Sequence, residues 1–202
     1  MKKFIILLLL TATANLTRAQ QLNIGTYNLR YANKGDSTAG NGWGQRLPHI
    51  AKLVLFQDLD IFGTQEAKFH QLNELTDSLP GYKWFGAGRD DGQHAGEHSA
   101  IFYKAAKFSV LKSGNFWMST VTDKPNKGWD AALPRICTWV QFKELKTSFT
   151  FYFLTSTWII SALWPAAKAR SWCWKKSGKW PVKCQPSLRV ISTSIKHQTV
   201  TR

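Results

Sequence analysis

The chain has 202 residues, the size of one domain, and a formal net charge of +15. Such a charge points to nucleic acid or an anionic surface as partner, but its distribution excludes a uniformly basic domain. All twelve acidic residues lie at or before Glu144, whereas residues 154–202 hold nine Lys or Arg and no Asp or Glu.

The N-terminal stretch MKKFIILLLLTATANLTRAQ has the parts of a secretory signal. Lys2 and Lys3 form its basic end, and Phe4 to Leu10 form its apolar run. Thr17 and Ala19 put small residues where a signal peptidase reads. Residues 1–19 are therefore expected to be a signal peptide, and the protein to be exported to the periplasm, the cell surface or the medium. The apolar run is far short of the roughly 20 residues a membrane helix needs. Cys137, Cys173 and Cys184 show no metal-ligand spacing, and their odd number gives no complete disulfide framework.

LNIGTYNLRYAN alternates apolar residues (Leu22, Ile24, Tyr27, Leu29) and reads as a strand entering a loop. LPHIAKLVLFQDLDIFGTQE reads as a helix ending near Gln57, an Asp-rich turn and a buried strand. FHQLNELTDSL places Phe69, Leu72, Leu75 and Leu79 at helical spacing and stops at Pro80-Gly81. YKWFGAG, HSAIFYKAAKFSVLKSGNFWMS and RICTWVQFKELKTSFTFYF are strand-rich, with turns at 104–107 and 144–148. A strand–helix–strand unit followed by successive antiparallel strands predicts a mixed α/β domain.

Polar residues sit at the ends of these apolar strands. Asn28 ends the first, Gln65 and Glu66 end the second, Glu97 opens the strand holding Ile101 and Phe102, and Arg135 opens RICTWVQF. Sites collect at such strand ends. A carboxylate there can hold Mg²⁺, which takes one or two carboxylates and fills its other positions with water and substrate phosphate. An Arg fork suits a phosphate. Each residue taken alone also suits a structural role. Glu66 reads as a solvated cap, Asn28 as the closure of a turn, Arg135 as half of a surface ion pair, and Arg89-Asp90-Asp91-Gly92 as a turn. Gly92 and Gly96 argue against a helix aligning His94 and His98 as ligands.

Taken in series, GTYNLRY, DIFGTQE, GAGRDDGQHAGEHSAIFY, FWMS and GWDAALPRICTWVQF resemble the endonuclease/exonuclease/phosphatase superfamily, especially its exported bacterial members, over residues 22–153. The resemblance implies a four-layer α/β sandwich of two mixed sheets flanked by helices. Only its N-terminal part is expected here, over residues 20–153. It implies hydrolysis of a phosphate ester with Mg²⁺, or Mn²⁺ in its place. The substrate would be a nucleic acid, an inositol phosphate, a lipid headgroup or another ester, and the protein a monomer without a stable protein partner. By motif, Glu66 matches the metal-binding Glu, and Asn28 the Asn that positions metal and phosphate, a catalytic as well as a metal-site role. Glu97 matches the acidic residue that orients a catalytic His, and Arg135 sits where some members contact the substrate phosphate.

The family's later motifs, Asn-x-His with Asp-His, Gly-Asp-x-Asn and a final Asp-His, do not follow Phe153. After that point His197 is the single His, and there is no Asp. The first two of these are permitted when each codon is read from the third base of one residue and the first two of the next. Leu154–Ile160 then permits Asn-Val-His-Leu-Asp-His, with the Asp forced by Trp158-Ile159. Trp172 to Lys175 forces Val-Leu-Glu, and Arg189–Thr193 permits Gly-Asp-Phe-Asn. Residues 154–202 are therefore read as a frameshifted, basic, Trp-rich tail, poorly patterned for regular structure, and the chain as translated is expected to be inactive. A rival reading takes the tail at face value, as a binder of nucleic acid or an anionic membrane surface through charge and stacking. A third is a noncatalytic surface module of the same fold.

Overall fold

A computed structural model describes residues 22–156. Residues 1–21, with the expected signal peptide, and residues 157–202, which carry nearly all of the frameshift reading and of the basic-tail reading, lie outside the described residues. The elements run β1 (Ile24–Asn28), α1 (Lys34–Thr38), α2 (Trp43–Phe56), β2 (Ile61–Ala67), α3 (Phe69–Asp77), β3 (Tyr82–Phe85), β4 (His98–Lys104), β5 (Phe108–Trp117), β6 (Ile136–Glu144) and β7 (Thr150–Ser156).

Two sheets result. The first is mixed, in the order β1-β2-β4-β3, with β1 parallel to β2 and β4 antiparallel to both its neighbours. The second is antiparallel, in the order β5-β6-β7. Successive strand residues point to opposite faces, and here both faces of the first sheet are covered. Ile61 and Ile101 face the second sheet beside Phe108, Val140 and Phe142. Their chain neighbours Phe62 and Phe102 face α2 and α3 beside Val54, Leu72 and Leu75. The described residues thus stack helices, sheet and sheet, an α/β arrangement of the predicted class and three layers of a four-layer sandwich.

The helix predicted to end near Gln57 does so, but it begins at Trp43 and carries Pro48 inside it. Pro48 removes one N–H from the ladder, and Trp43 is buried at the helix start with its indole Nε1 donating to Glu74 Oε2 at 2.6 Å. α3 buries Leu72 and Leu75, and Leu79 follows just past its end, as the spacing predicted. Each such burial contributes about 1.5–3 kcal/mol.

Strand β7 runs three residues beyond Phe153, with Leu154, Thr155 and Ser156 opposite Trp139, Thr138 and Cys137. Thr155 is buried against the first sheet. A Cβ on Gly63 would lie 2.5 Å from the Thr155 hydroxyl and 2.8 Å from its Cβ, so the two sheets meet closely where β2 has no side chain. Gln65 Nε2 crosses the same gap, donating to Thr155 Oγ1 at 2.9 Å and to Thr26 Oγ1 at 3.0 Å.

Candidate active site

Because β1 and β2 are parallel, they end at the same edge, with Asn28 opposite Gln65. The next residue, Glu66, lies in a bulge where the β2–β4 register shifts, and its φ is +63°. A bulge re-aims a side chain, and a left-handed backbone at a non-glycine costs about 1–3 kcal/mol and persists only where its surroundings enforce it. The side chain so aimed meets Asn28, whose Nδ2 donates to Glu66 Oε1 at 2.8 Å. Asn28 is in turn held by the Arg30 N–H, which donates to its Oδ1 at 2.8 Å.

A buried glutamine from α3 braces this corner. Gln71 is wholly buried. Its Oε1 accepts from the N–H of Ala32 at 2.8 Å and of Lys68 at 3.0 Å, and its Nε2 donates to the Arg30 carbonyl at 3.2 Å. It therefore ties the loop after Asn28 to the turn after Glu66. Arg46 adds bonds to the carbonyls of Leu29 and Arg30. Arg30 itself grips Asp36 through two bonds, which hold the Asp36 carboxyl down at about 2.

β4 runs antiparallel to β2 and sets His98 opposite Ala67, so Glu97 enters from the same edge. Glu97 is half-buried, and burial pushes its pKa up. The Arg89 guanidinium opposes this, with Nη1 2.7 Å from Glu97 Oε2, and the Glu66 charge adds to the rise. Among the described residues the partner of Glu97 is thus an arginine. Arg135 reaches the site from the second sheet, just before β6, with its carbonyl accepting from the Met118 N–H at 2.8 Å. It is buried, and its pKa is pushed down first by burial and then by Arg89, against the pull of Glu97 and Glu66.

The structure therefore gathers the four residues singled out in the sequence. Asn28 and Glu66 touch, while Glu97 and Arg135 lie within electrostatic reach of Glu66. It adds Arg89, Gln71 and the Glu66 bulge, which the sequence did not mark. His98 is buried, packed with Phe69 and Trp84, and belongs to the core, whereas His94 stays exposed with its ring centroid 3.9 Å from that of Phe69.

The donor set suits a hard cation. Among the described residues, no three His, Cys, Asp or Glu converge as a metal cage. Glu66 Oε2 accepts no hydrogen bond there, while Oε1 is occupied by the Asn28 amide. A single aimed carboxylate oxygen fits Mg²⁺, which keeps waters and takes substrate oxygens, and does not fit a closed tetrahedral zinc site. The Asn28 amide presents its nitrogen to Glu66 and its oxygen to Arg30, so in this arrangement it positions the carboxylate.

No family model and no curated protein matches the chain. Solved structures do. A mannosyl-6-phosphatase from Bacteroides thetaiotaomicron is 47% identical, with a TM-score of 0.75 over 77% of this chain and 58% of that one. An endonuclease/exonuclease/phosphatase family protein from the same organism is 48% identical, again with a TM-score of 0.75, over 77% and 57%. Another, from Bacteroides vulgatus, is 34% identical with a TM-score of 0.71 over 75% and 57%. Over its matched residues, the chain belongs to the endonuclease/exonuclease/phosphatase family. It spans less than two thirds of the length of these relatives. A TDP2 structure from D. rerio, at 15% identity and a TM-score of 0.58, shows the same fold.

Proposed function

We propose that this chain derives from an exported, Mg²⁺-dependent phosphoesterase acting on the phosphomonoester of a sugar or a similar alcohol, and that it is inactive as translated. The observation that carries the proposal is the bulged Glu66, aimed and held by Asn28, beside a cluster of Glu97, Arg89 and Arg135. Support for a sugar phosphate comes from the 47% identity to a mannosyl-6-phosphatase.

Hydrolysis adds water at phosphorus and releases the alcohol and phosphate. Glu66 would hold the cation, which when bound neutralises charge building on the phosphate oxygens. Asn28 fixes the carboxylate. Arg135 would bind the ester's phosphate, its charge-assisted donors strengthened by a partly dry site. Glu97 would orient the water-activating His of the family's Asn-x-His motif. The displaced frame permits that motif from Leu154 onward. Support for the displaced frame comes from the forced Asp and Val-Leu-Glu residues and from the Trp excess after Phe153.

Two experiments test the proposal. Nucleotide sequence across the codons for Tyr152 to Ile160 must permit Asn-x-His in the alternative frame. The frame-restored protein must then release phosphate from mannose 6-phosphate with Mg²⁺ and stop on chelation. Third bases that forbid Asn-x-His, or turnover that persists in chelator, refute it.

A further inference from the structure

Arg89 and Arg135 are both buried, at 7% and 5% exposure. Arg89 comes from the loop between β3 and β4, and Arg135 from the segment entering β6. The Nε of each is sealed from solvent without a hydrogen-bond partner. Arg135 makes no ion pair among the described residues, and Arg89 makes one close one, to Glu97. Arginine cannot shed its charge to escape burial, and an unpaired buried cation is costly. Two buried guanidiniums within electrostatic reach of each other, each with an orphan donor and with one close ion pair between them, made by Arg89, are short of an anion.

The Arg89 backbone is fixed in advance. Its N–H donates to the Glu97 carbonyl at 3.1 Å, and its carbonyl accepts from Trp117 Nε1 at 2.8 Å. The loop closes so tightly that a Cβ on Gly88 would lie 2.1 Å from the Ala95 carbonyl oxygen. Asp91 Oδ1 accepts from the N–H groups of Gln93 and Ala95 at 2.7 and 2.9 Å. A donor held this firmly loses little freedom on binding.

We propose that Arg89 is a second phosphate-binding residue. With Arg135 it forms a two-guanidinium cradle that selects a phosphomonoester dianion over a phosphodiester. The charges set the preference. Glu66 and Glu97 balance Arg89 and Arg135, and a divalent cation at Glu66 leaves two positive charges. A phosphomonoester carries about −1.5 to −2 at neutral pH, and a diester carries one negative charge. The assignment deepens the phosphoesterase reading by naming the form of phosphate bound, yet binding requires no turnover.

The test is calorimetric titration of the full 202-residue chain with inorganic phosphate and, separately, dimethyl phosphate, in the presence of Mg²⁺. Phosphate should bind at least tenfold more tightly than dimethyl phosphate at pH 7.5. It should weaken on moving to pH 5, where phosphate loses most of its second negative charge. Arg89→Gln should weaken phosphate at least tenfold and shrink the preference over dimethyl phosphate. Arg89→Lys should also weaken it, because an ammonium lacks the fork. Near-UV circular dichroism reports folding, and if Arg89→Gln unfolds, Arg89→Lys decides. Phosphate binding unchanged by Arg89→Lys and by any folded Arg89→Gln, equal affinity for the diester, or no phosphate binding by the parent overturns the assignment. A frame-restored protein without phosphatase activity would instead overturn the enzyme reading and leave the cradle standing.

Discussion

Replacing Gln71 with leucine should be among the most destabilising single changes near the site, although Gln71 is a neutral residue on a helix. Leucine fills a similar volume, so the transfer of apolar atoms is not the issue. The loss is of an acceptor. Gln71 Oε1 takes two backbone N–H groups, from Ala32 and Lys68, and each buried donor left without a partner costs about 1–3 kcal/mol. The Arg30 carbonyl, which accepts from Gln71 Nε2, keeps its bond from Arg46 Nη2 at 3.0 Å, so it adds little. Ala32 and Lys68 are only partly buried, and water will recover part of the loss. The expected destabilisation is therefore about 2–4 kcal/mol. Urea unfolding followed by tryptophan fluorescence measures it as a fall in midpoint at constant slope. Because both donors flank the Asn28–Glu66 pair, Mg²⁺ should also stabilise the variant less than the parent. A loss under about 0.5 kcal/mol, the range of ordinary surface substitutions, would refute the view that Gln71 braces the corner.

Three further outcomes are expected. Gly63→Ala should destabilise by about 1–3 kcal/mol through overpacking, and Thr155→Gly should recover part of that in a thermal melt of the double variant. Additive losses would show that the two residues do not meet. Burial pushes the His98 pKa below its ordinary value, and the backbone at Gln93, Ala67 and Gly96 opposes this without reaching hydrogen-bond geometry. The unfolded chain then takes up the His98 proton first, so stability is complete above the unfolded pKa of about 6.5 and falls as the pH drops toward the folded value. His98→Phe should flatten that part of the pH–stability curve, and an unchanged slope would place its origin elsewhere. Arg30→Gln should return the Asp36 carboxyl from about 2 toward the ordinary carboxylate range in an NMR titration, since the Arg30 hydrogen bond is the largest cause of the shift; no change would show that the pair is not formed in solution.

The strands and the two main helices were legible because their apolar residues follow periods of two or of three to four. Ile61-Phe62 and Ile101-Phe102 are apolar on both faces, as expected of strands covered on both sides. What the sequence hid came from distant partners. α1 buries no residue, and the Asn33 cap and the Arg30–Asp36 pair give it no apolar stripe to recognise. Leu154 to Ser156 looked patternless because Thr155 is buried by its fit to Gly63 and Gln65, some 90 residues earlier. Arg89 sits in a Gly- and Asp-rich stretch that reads as an exposed turn, and its burial depends on Trp117, 28 residues on. Asn28, Glu66, Glu97 and Arg135 were marked by lying at the ends of apolar strands, and the shared edge of β1, β2 and β4 is what brings the first three together. No sequence period announces the Glu66 bulge.

The most direct measurement sets the 202-residue chain beside its frame-restored counterpart, with Mg²⁺ and mannose 6-phosphate, and compares kcat/KM. Loss of the general base alone is worth about 10²–10⁴, so the restored protein should turn over at least a hundredfold faster, and Glu66→Gln should abolish the difference. Equal rates, with the unrestored chain cleaving the ester briskly, would contradict the claim that this polypeptide supplies only half of a phosphatase site.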